Sequence, residues 1–292
     1  MKVTDIWNSR QRPTISFELF PPRSPEAAEK LHQTIDRLAD LKPDFVSVTF
    51  GAGGSTREGS RQLLETLKNE KGLEVIAYFA GYGMGPEDIT AVMDSYESMG
   101  VENILVVRGD LPEDGNFQPH PQSFSHAADL VAFVRPRYGF CLGVAGYPEG
   151  HIEALSKDKD IEYLKLKVDQ GAEYIISNYF YDNRFFFEFL ERCRAVGIDV
   201  PILPGAMPIY SVKMLEMLAS LCGATITKEV RQGMAALPDG DKEALVDFGI
   251  EFAIRQCAEL LDAGVPGVHI YTMDRSKSAA GIVHRLRDEG LL

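Results

Sequence analysis

Short strand-forming runs alternate with helix-forming runs along the chain, and this alternation limits most strongly the folds that it can adopt. Amphipathic helical patterns, for example at 25–39 and 57–69, separate runs that are rich in β-branched and aromatic residues. Eight strand–helix units close a (β/α)8 TIM barrel, and we predict this α/β fold; a doubly wound parallel sheet is the alternative. The predicted strands are 14–20, 45–50, 74–79, 103–107, 140–145, 174–180, 200–203 and 267–271.

The organisation of the 292 residues predicts a single barrel domain over 1–292, because no linker or low-complexity stretch divides them. Two segments interrupt the alternation. A polar, proline-rich loop at 111–123 has the length of a lid or binding loop, and 227–241 is predicted as an additional helix and turn.

The composition disfavours several classes of partner. A net charge of −13 without a Lys- or Arg-rich block argues against nucleic acid and anionic membrane, although a local basic pocket still suits an anion. Residues 1–12 lack the apolar region of a secretory signal, and no apolar run approaches the roughly 20 residues of a membrane span. The four scattered cysteines predict reduced thiols and a cytoplasmic location. The sequence leaves open whether the chain forms a homo-oligomer.

Polar residues concentrate at the carboxyl ends of the predicted strands. In a parallel barrel these ends form one rim, and active sites form on that rim, so the placement favours an enzyme. The residues at or just beyond these ends are Glu18, Thr49, Tyr78, Arg108, Gly109, Asp110, Tyr147, Glu149, His151, Asn178, Gly205 and Arg275.

Glu18 lies at the end of the first predicted strand. Pro21-Pro22 stops that strand, and Ser24-Pro25 supplies an N-cap and the first residue of a helix. The carboxyl group is therefore interpreted either as a general acid in the barrel mouth or as a solvated carboxylate paired with Arg23.

The other candidate groups each have a structural interpretation as well. Arg108 and Asp110 either pair with each other or hold a phosphate and a cationic heterocycle, respectively. The glycine-rich turn at 51–54 either is a flexible turn or lets backbone approach phosphates. His269, within the last strand, is predicted to be a hydrogen-bonded core histidine.

Several sequence blocks together carry a resemblance, although no single block is specific. They are Ser16-Phe17-Glu18-Leu19-Phe20-Pro21-Pro22-Arg23, Arg108-Gly109-Asp110-Leu111-Pro112, Tyr147-Pro148-Glu149-Gly150-His151, Lys165-Leu166-Lys167-Val168-Asp169-Gln170-Gly171-Ala172 and Tyr271-Thr272-Met273-Asp274-Arg275. In these blocks, and in their order over nearly the whole chain, the sequence resembles the methylenetetrahydrofolate reductase family of flavoproteins. The length resembles that of the bacterial form, which has the catalytic domain alone.

The resemblance implies a barrel with FAD across its carboxyl-terminal rim, NADH or NADPH as electron donor and a tetrahydrofolate one-carbon derivative as substrate. The implied FAD contacts are Thr49, Phe50, Ala52, Tyr78, Arg108, Gly109, Asp110, His126, Tyr147, His151, Ala154, Asp160 and Lys167. The implied substrate contacts are Glu18, Asp110, Asn178, Met214 and Arg275, of which Glu18 and Asp110 are the implied catalytic residues. No residue is assigned to a metal.

The resemblance also implies a ping-pong reaction. NAD(P)H reduces the flavin and leaves, and 5,10-methylenetetrahydrofolate then takes its place and is reduced to 5-methyltetrahydrofolate, or the reaction runs in reverse. Glu18 supplies the proton that opens the five-membered ring and leaves an iminium at N5 for the hydride. Such an acid is protonated near neutral pH, so we expect Glu18 to be desolvated or close to another carboxylate, with Asp110 as the candidate.

Several positions depart from the family's pattern, and we expect them to alter the use of the electron donor more than the folate chemistry. Tyr78 and Ala80 replace a histidine and a threonine, and Asn178 is one methylene shorter than the family's glutamine. The other departures are Leu166 in place of an arginine, and Met214 and Leu218 in place of a glutamine and a phenylalanine of some bacterial members.

Three alternatives remain open at this level. The first is the same reaction without flavin, with hydride passing directly from the nicotinamide to the folate, which Tyr78, Ala80 and Leu166 suggest. The second is a metal-dependent lyase, and the third is a folate- or flavin-binding protein without turnover. The lyase would use Glu18, Asp110, Glu149 and His151.

Overall fold

The computed structural model describes residues 1–9, 12–22, 24–51, 54–110 and 117–292. Ala52, one of the implied FAD contacts, and Arg23, the alternative partner of Glu18, lie outside these ranges, as does the first half of the predicted 111–123 loop.

Eight parallel strands pair in chain order and close into a barrel, because the last strand also pairs with the first. The predicted (β/α)8 barrel is therefore confirmed, and the doubly wound alternative is excluded. The strands are β1 Thr14–Leu19, β2 Phe45–Val48, β3 Val75–Ala80, β4 Asn103–Val107, β5 Cys141–Gly146, β6 Tyr174–Tyr179, β7 Ile202–Ala206 and β8 Gly267–Tyr271.

Helices follow the strands around the outside of the barrel, and a π-helical turn, Thr66–Glu70, extends one of them. They are α1 Val3–Ser9, α2 Pro25–Asp40, α3 Gly54–Glu65, α4 Pro86–Ser98, α5 Ala127–Val134, α6 Lys157–Asp169, α7 Asn183–Ala195, α8 Val212–Cys222, α9 Lys228–Ala235, α10 Lys242–Asp262 and α11 Ser276–Asp288. The additional helix predicted within 227–241 is α9. Within the described ranges, no helix combines the length and the apolar character that crossing a membrane requires.

Helix α1 covers the amino-terminal end of the barrel, and the sequence did not predict it. The N–H of Val3 donates to the side chain of Asn103, at the start of β4, over 2.8 Å. The Trp7 indole donates to the Thr14 hydroxyl, at the start of β1, over 2.9 Å. A seven-residue helix has too little periodicity to stand out in a sequence, so its position depends on these contacts.

Strand β1 shows how alternation divides the two faces of the barrel wall. Ile15, Phe17 and Leu19 belong to the apolar layer between the strands and the surrounding helices. Ser16 and Glu18 therefore point toward the barrel interior. The predicted exit from this strand is confirmed, because the Ser24 hydroxyl caps α2 by accepting the N–H of Ala27.

A polar bridge crosses the barrel interior where β8, β1 and β2 meet. The hydroxyl of Ser16 lies 2.8 Å from Nδ1 of His269, and the hydroxyl of Ser47 lies 3.2 Å from Nε2. His269 is fully buried, and desolvation lowers its pKa to about 3, so the ring is neutral. The prediction of a hydrogen-bonded core histidine is confirmed.

A large aromatic side chain fills the interior beside β5 only because that strand has a glycine there. A methyl group added at Gly143 would lie 2.1 Å from Cε2 of Tyr174. Tyr174 is itself fully buried, so its ring has little room to move aside.

We predict that Gly143→Ala lowers the free energy of unfolding by about 1–3 kcal/mol or more, the usual effect of overpacking a core. Gly139→Ala is the matched control, since nothing lies within 4 Å of the added methyl group and its backbone φ is not positive. The control should change stability by no more than about 1 kcal/mol. Denaturant unfolding of both variants measures this, and equal midpoints would contradict the packing argument.

Candidate active site

Glu18 lies at the inward-facing, next-to-last position of β1, in register with Ser47 on one side and Tyr271 on the other. Its side chain is buried, with 5% exposure. Desolvation raises the pKa of this carboxyl to about 7, because the charged form loses its hydration; a hydrogen bond from Tyr78 opposes the rise and the charge of Asp274 adds to it. The carboxyl is therefore partly protonated at neutral pH.

Asp274 owes its position to an unusual turn after β8. Met273 and Asp274 both have left-handed backbones, with φ of +48° and +56°. The Asp274 carboxylate accepts the N–H of Phe20 over 3.2 Å. The Thr272 hydroxyl donates to the carbonyl of Glu18 over 2.7 Å, so this turn is tied to the end of β1. Burial raises the pKa of Asp274 to about 6.

Asp110 was the candidate carboxylate beside Glu18, but the carboxylate whose charge adds to the effect of desolvation on the pKa of Glu18 is that of Asp274. Asp110 is exposed beyond β4, and its charge acts on Arg108 and Tyr147 instead. Asp274 takes the place of Asp110 because the left-handed turn folds back against β1. Asp274 lies inside a sequence block that carried the resemblance, but periodicity does not show which way such a turn points.

A groove with a volume of about 330 Å³ opens beside the carboxyl ends of β4 and β5, under α5 and α6. Its walls bring together residues from Val106 to Lys167, which are 61 positions apart in the chain. The implied FAD contacts that line it are Arg108, His126, Tyr147, His151, Ala154, Asp160 and Lys167.

Arg108 forms an ion pair with a partner that the sequence did not suggest. Its guanidinium donates two hydrogen bonds to the carboxylate of Glu153, of 2.6 and 3.1 Å. This pairing raises the pKa of Arg108, to which the charge of Asp110 makes a smaller contribution. Because Glu153 is half exposed, solvent weakens the pair, and a stronger anion could replace it.

Lys167 places a second cation in the groove, and it is almost unpaired. Its ammonium donates to the carbonyl of Ala145 over 3.0 Å. Burial lowers the pKa of Lys167 to about 8, and the charge of Asp160 opposes this shift. Within the described ranges no carboxylate lies within ion-pair distance of the ammonium, which therefore retains donors for an anionic ligand.

Tyr147 and His151 pack edge to face, with ring centroids 4.6 Å apart. Nδ1 of His151 accepts the N–H of Glu153 over 3.1 Å, which leaves Nε2 to carry the proton of a neutral ring. The backbone N–H of His151 donates to Asp160 over 3.2 Å. These contacts fix the orientation of the ring at the groove wall.

The acids and histidines of the described part of the rim are too dispersed to form a metal-binding cluster. Across the described ranges, no three His, Cys, Asp or Glu side chains come together in a way that could hold a metal ion. Glu149, part of the lyase alternative, accepts the N–H of Thr225 over 2.9 Å. The described residues thus give no support to the metal-dependent alternative.

The remaining predicted residues lie around the rim, outside the groove lining. The backbone N–H of Thr49 donates to Leu19, and the ring of Phe50 packs on Phe79 with centroids 5.5 Å apart. Asn178 turns its side-chain oxygen to the N–H of Tyr179, over 2.9 Å. Met214, on α8, packs against an apolar cluster of buried residues. Gly109 has a φ of +91° and lies beside Ala80. The exposed Arg275 places Cζ of its guanidinium 5.0 Å from the centroid of the Tyr210 ring.

Tyr271 lies on β8, in register with Glu18 on β1. Burial raises its pKa well above the usual value, and the nearby charges of Glu18 and Tyr147 act in the same direction. Its hydroxyl donates to the carbonyl of Ser177 over 2.9 Å. Tyr271 therefore lies close enough to Glu18, on β1, and to Tyr147, in the groove wall, for both charges to act on it.

A solved structure supports the fold. An uncharacterized protein from Clostridium thermocellum, which binds two copies of 5-methyl-5,6,7,8-tetrahydrofolic acid, superimposes with a TM-score of 0.67. It is 16% identical and covers 98% of this chain and 98% of its own, so the likeness concerns the architecture alone.

Sequence relatives are considerably more similar. Methylenetetrahydrofolate reductase (NADH) 1 of Arabidopsis thaliana is 36% identical over 301 residues, which cover 98% of this chain and 51% of the relative. The 5,10-methylenetetrahydrofolate reductase of Escherichia coli is 35% identical over 272 residues, which cover 93% of this chain and 90% of the relative. The chain thus spans about half the length of the plant relative and most of the bacterial one.

The family comparison agrees with these relatives. The sequence profile of the family described as methylenetetrahydrofolate reductase matches residues 2–287. The match runs from α1 through α11 and includes the buried acid and the whole groove. The chain belongs to the methylenetetrahydrofolate reductase family.

Proposed function

We propose that the protein reduces 5,10-methylenetetrahydrofolate to 5-methyltetrahydrofolate, or catalyses the reverse oxidation, with FAD as hydride carrier and NADH or NADPH as donor. The observation that carries this proposal is the buried carboxyl of Glu18, whose pKa of about 7 suits a general acid. The names of the plant and bacterial relatives support the reaction, and the folate bound by the Clostridium thermocellum protein supports the substrate class.

Two cations in the groove support FAD as its ligand. Lys167 offers a desolvated ammonium and Arg108 a guanidinium, and these two cations suit the negative charges of a pyrophosphate. His151 and Tyr147 add a fixed ring pair at the wall. FAD, when bound, carries two electrons as hydride between the nicotinamide and the folate, which occupy the rim in turn.

Glu18 performs the acid step in this proposal. It donates its proton to the folate nitrogen that leaves when the five-membered ring opens, so one C–N bond breaks and an iminium remains at N5 to accept the hydride. Desolvation keeps the acid protonated before transfer, and the negative charge of Asp274 adds to this effect. The Tyr78 hydroxyl favours the carboxylate that remains afterwards.

The first prediction concerns FAD binding and separates the proposal from the flavin-free alternative. That alternative was suggested in part by Leu166, which lines the groove. The purified protein should be yellow and should release its chromophore on denaturation. Lys167→Gln should weaken FAD binding about tenfold or more, since a charge-assisted hydrogen bond is lost. Lys165→Gln is the control, because that lysine pairs outside the groove with Asp169 on the same helix.

The flavin is first removed from the wild type and from both lysine variants. Titration of each flavin-free protein with FAD then measures the affinities. A colourless protein that still reduces the folate with a nicotinamide would overturn the flavin part and establish the direct transfer. Equal affinities for the two lysine variants would remove Lys167 from the site.

The second prediction concerns Glu18→Gln, in which glutamine keeps the shape and a hydrogen-bonding head group. Flavin reduction by NAD(P)H should stay within a few-fold of wild type, because that step needs no proton from Glu18. Reduction of the folate should fall by about 10²–10⁴-fold, the usual contribution of general acid catalysis. Single-turnover measurement of each half-reaction gives both rates.

Glu74→Gln is the control for this experiment, since Glu74 lies before β3, where it pairs with the amino terminus. If Glu18→Gln reduced folate at the wild-type rate, Glu18 would not be the acid. An equal loss in both half-reactions would instead assign Glu18 to positioning the flavin.

The third prediction is a pH dependence. A general acid acts in its protonated form, so the rate of the folate half-reaction should fall as pH rises through about 7, the pKa of Glu18 in the unliganded protein. Asp274→Asn removes the negative charge that raises this pKa, so the midpoint should move to lower pH. Single-turnover rates from pH 5.5 to about 9 test this, and an unchanged midpoint in the variant would rule out the coupling.

A further inference from the structure

Glu153 occupies the guanidinium of Arg108 in the wall of the groove. Nη1 and Nη2 of Arg108 each donate to one oxygen of the carboxylate, over 2.6 and 3.1 Å, and Nε donates to the carbonyl of Gly109 over 3.2 Å. Both charged side chains line the groove. The paired N–H groups that would hold a phosphate best are therefore already bound to a carboxylate of the chain itself.

The groove lining carries more acids than cations while Glu153 stays in place. Its carboxylates are Asp129, Glu153 and Asp160, and its cations are Arg108 and Lys167. A pyrophosphate at Arg108 would place further negative charge directly beside the Glu153 carboxylate. Like charges side by side repel each other, so the ion pair competes with an anionic ligand for the same guanidinium.

The Glu153 side chain can leave Arg108 while its backbone stays where it is. The N–H of Glu153 donates to Nδ1 of His151 over 3.1 Å, and the N–H of Ala154 donates to the carbonyl of His151 over 2.9 Å. These bonds hold the backbone of the turn, whereas the Glu153 side chain is 51% exposed. An ion pair that water reaches is weak, so rotation of the carboxylate into solvent costs little.

We propose that Glu153 is a displaceable counter-ion, which neutralises Arg108 in the flavin-free protein and gives up the guanidinium to the pyrophosphate of FAD. The proposal rests on the proposed function, because it takes FAD as the ligand of the groove. Glu153 thereby lowers the affinity for FAD and selects against ligands whose negative charge is too weak to replace it.

The test is titration of flavin-free protein with FAD, which measures affinity without turnover. Glu153→Gln removes the competing charge and keeps the shape of the side chain. It should bind FAD about twofold to tenfold more tightly than the wild type, the range expected when an exposed ion pair no longer has to be broken. The gain should shrink as ionic strength rises from about 0.01 to 1 M, because salt screens the competing pair.

Glu162→Gln is the matched control, since Glu162 is a similarly exposed acid outside the groove lining that pairs with Lys159 on α6. It removes the same charge from the chain and should leave the affinity unchanged. Arg108→Gln provides the second comparison. In that background Glu153→Gln should bring no gain, because the guanidinium for which the carboxylate competes is absent.

An affinity of Glu153→Gln equal to or below that of the wild type would overturn the proposal. An equal gain in Glu162→Gln, or a gain that persists beside Arg108→Gln, would overturn it as well. In each of these cases FAD still binds, so the proposed function is unaffected. If neither the wild type nor any variant binds FAD, the flavin part of the proposed function fails together with this inference.

Discussion

The barrel closes where β8 pairs with β1, and the rest of the structure depends on this closure. His269 lies at that junction, where its ring nitrogens contact the hydroxyls of Ser16, on the neighbouring strand β1, and of Ser47, on β2 beyond it. A neutral ring is needed there, because one charge at a fully buried position would be costly to desolvate. The bridge satisfies both ring nitrogens, and in the register of this junction Glu18 lies beside Tyr271.

The environment of Glu18 follows from the same closure. Inward positions near the end of β1 are removed from water, so the carboxyl prefers to keep its proton. The turn after β8 adds a second carboxylate, Asp274, and β3 adds the hydroxyl of Tyr78, and these two neighbours act in opposite directions. An acid balanced in this way can give up a proton and regain it near neutral pH.

The groove places two cations close together in an acidic chain. The net charge is −13, yet the cations of Arg108 and Lys167 line one depression. Their surroundings differ. Arg108 forms an ion pair with the half-exposed Glu153, whereas the desolvated ammonium of Lys167 donates one hydrogen bond, to the carbonyl of Ala145. The overall charge therefore says little about which charged groups meet at this groove.

The sequence by itself determined the barrel, most strand boundaries, the exit of β1 into α2 and the candidate acid, because these depend on alternation, proline and capping residues close together in the chain. Only the tertiary structure decided that Asp274, and not Asp110, acts on Glu18, that Glu153 pairs with Arg108, and that α1 covers the barrel. The bond between Phe20 and Asp274 joins residues 254 positions apart. Local patterns carry no information about such contacts, because they depend on how the closed barrel places distant turns side by side.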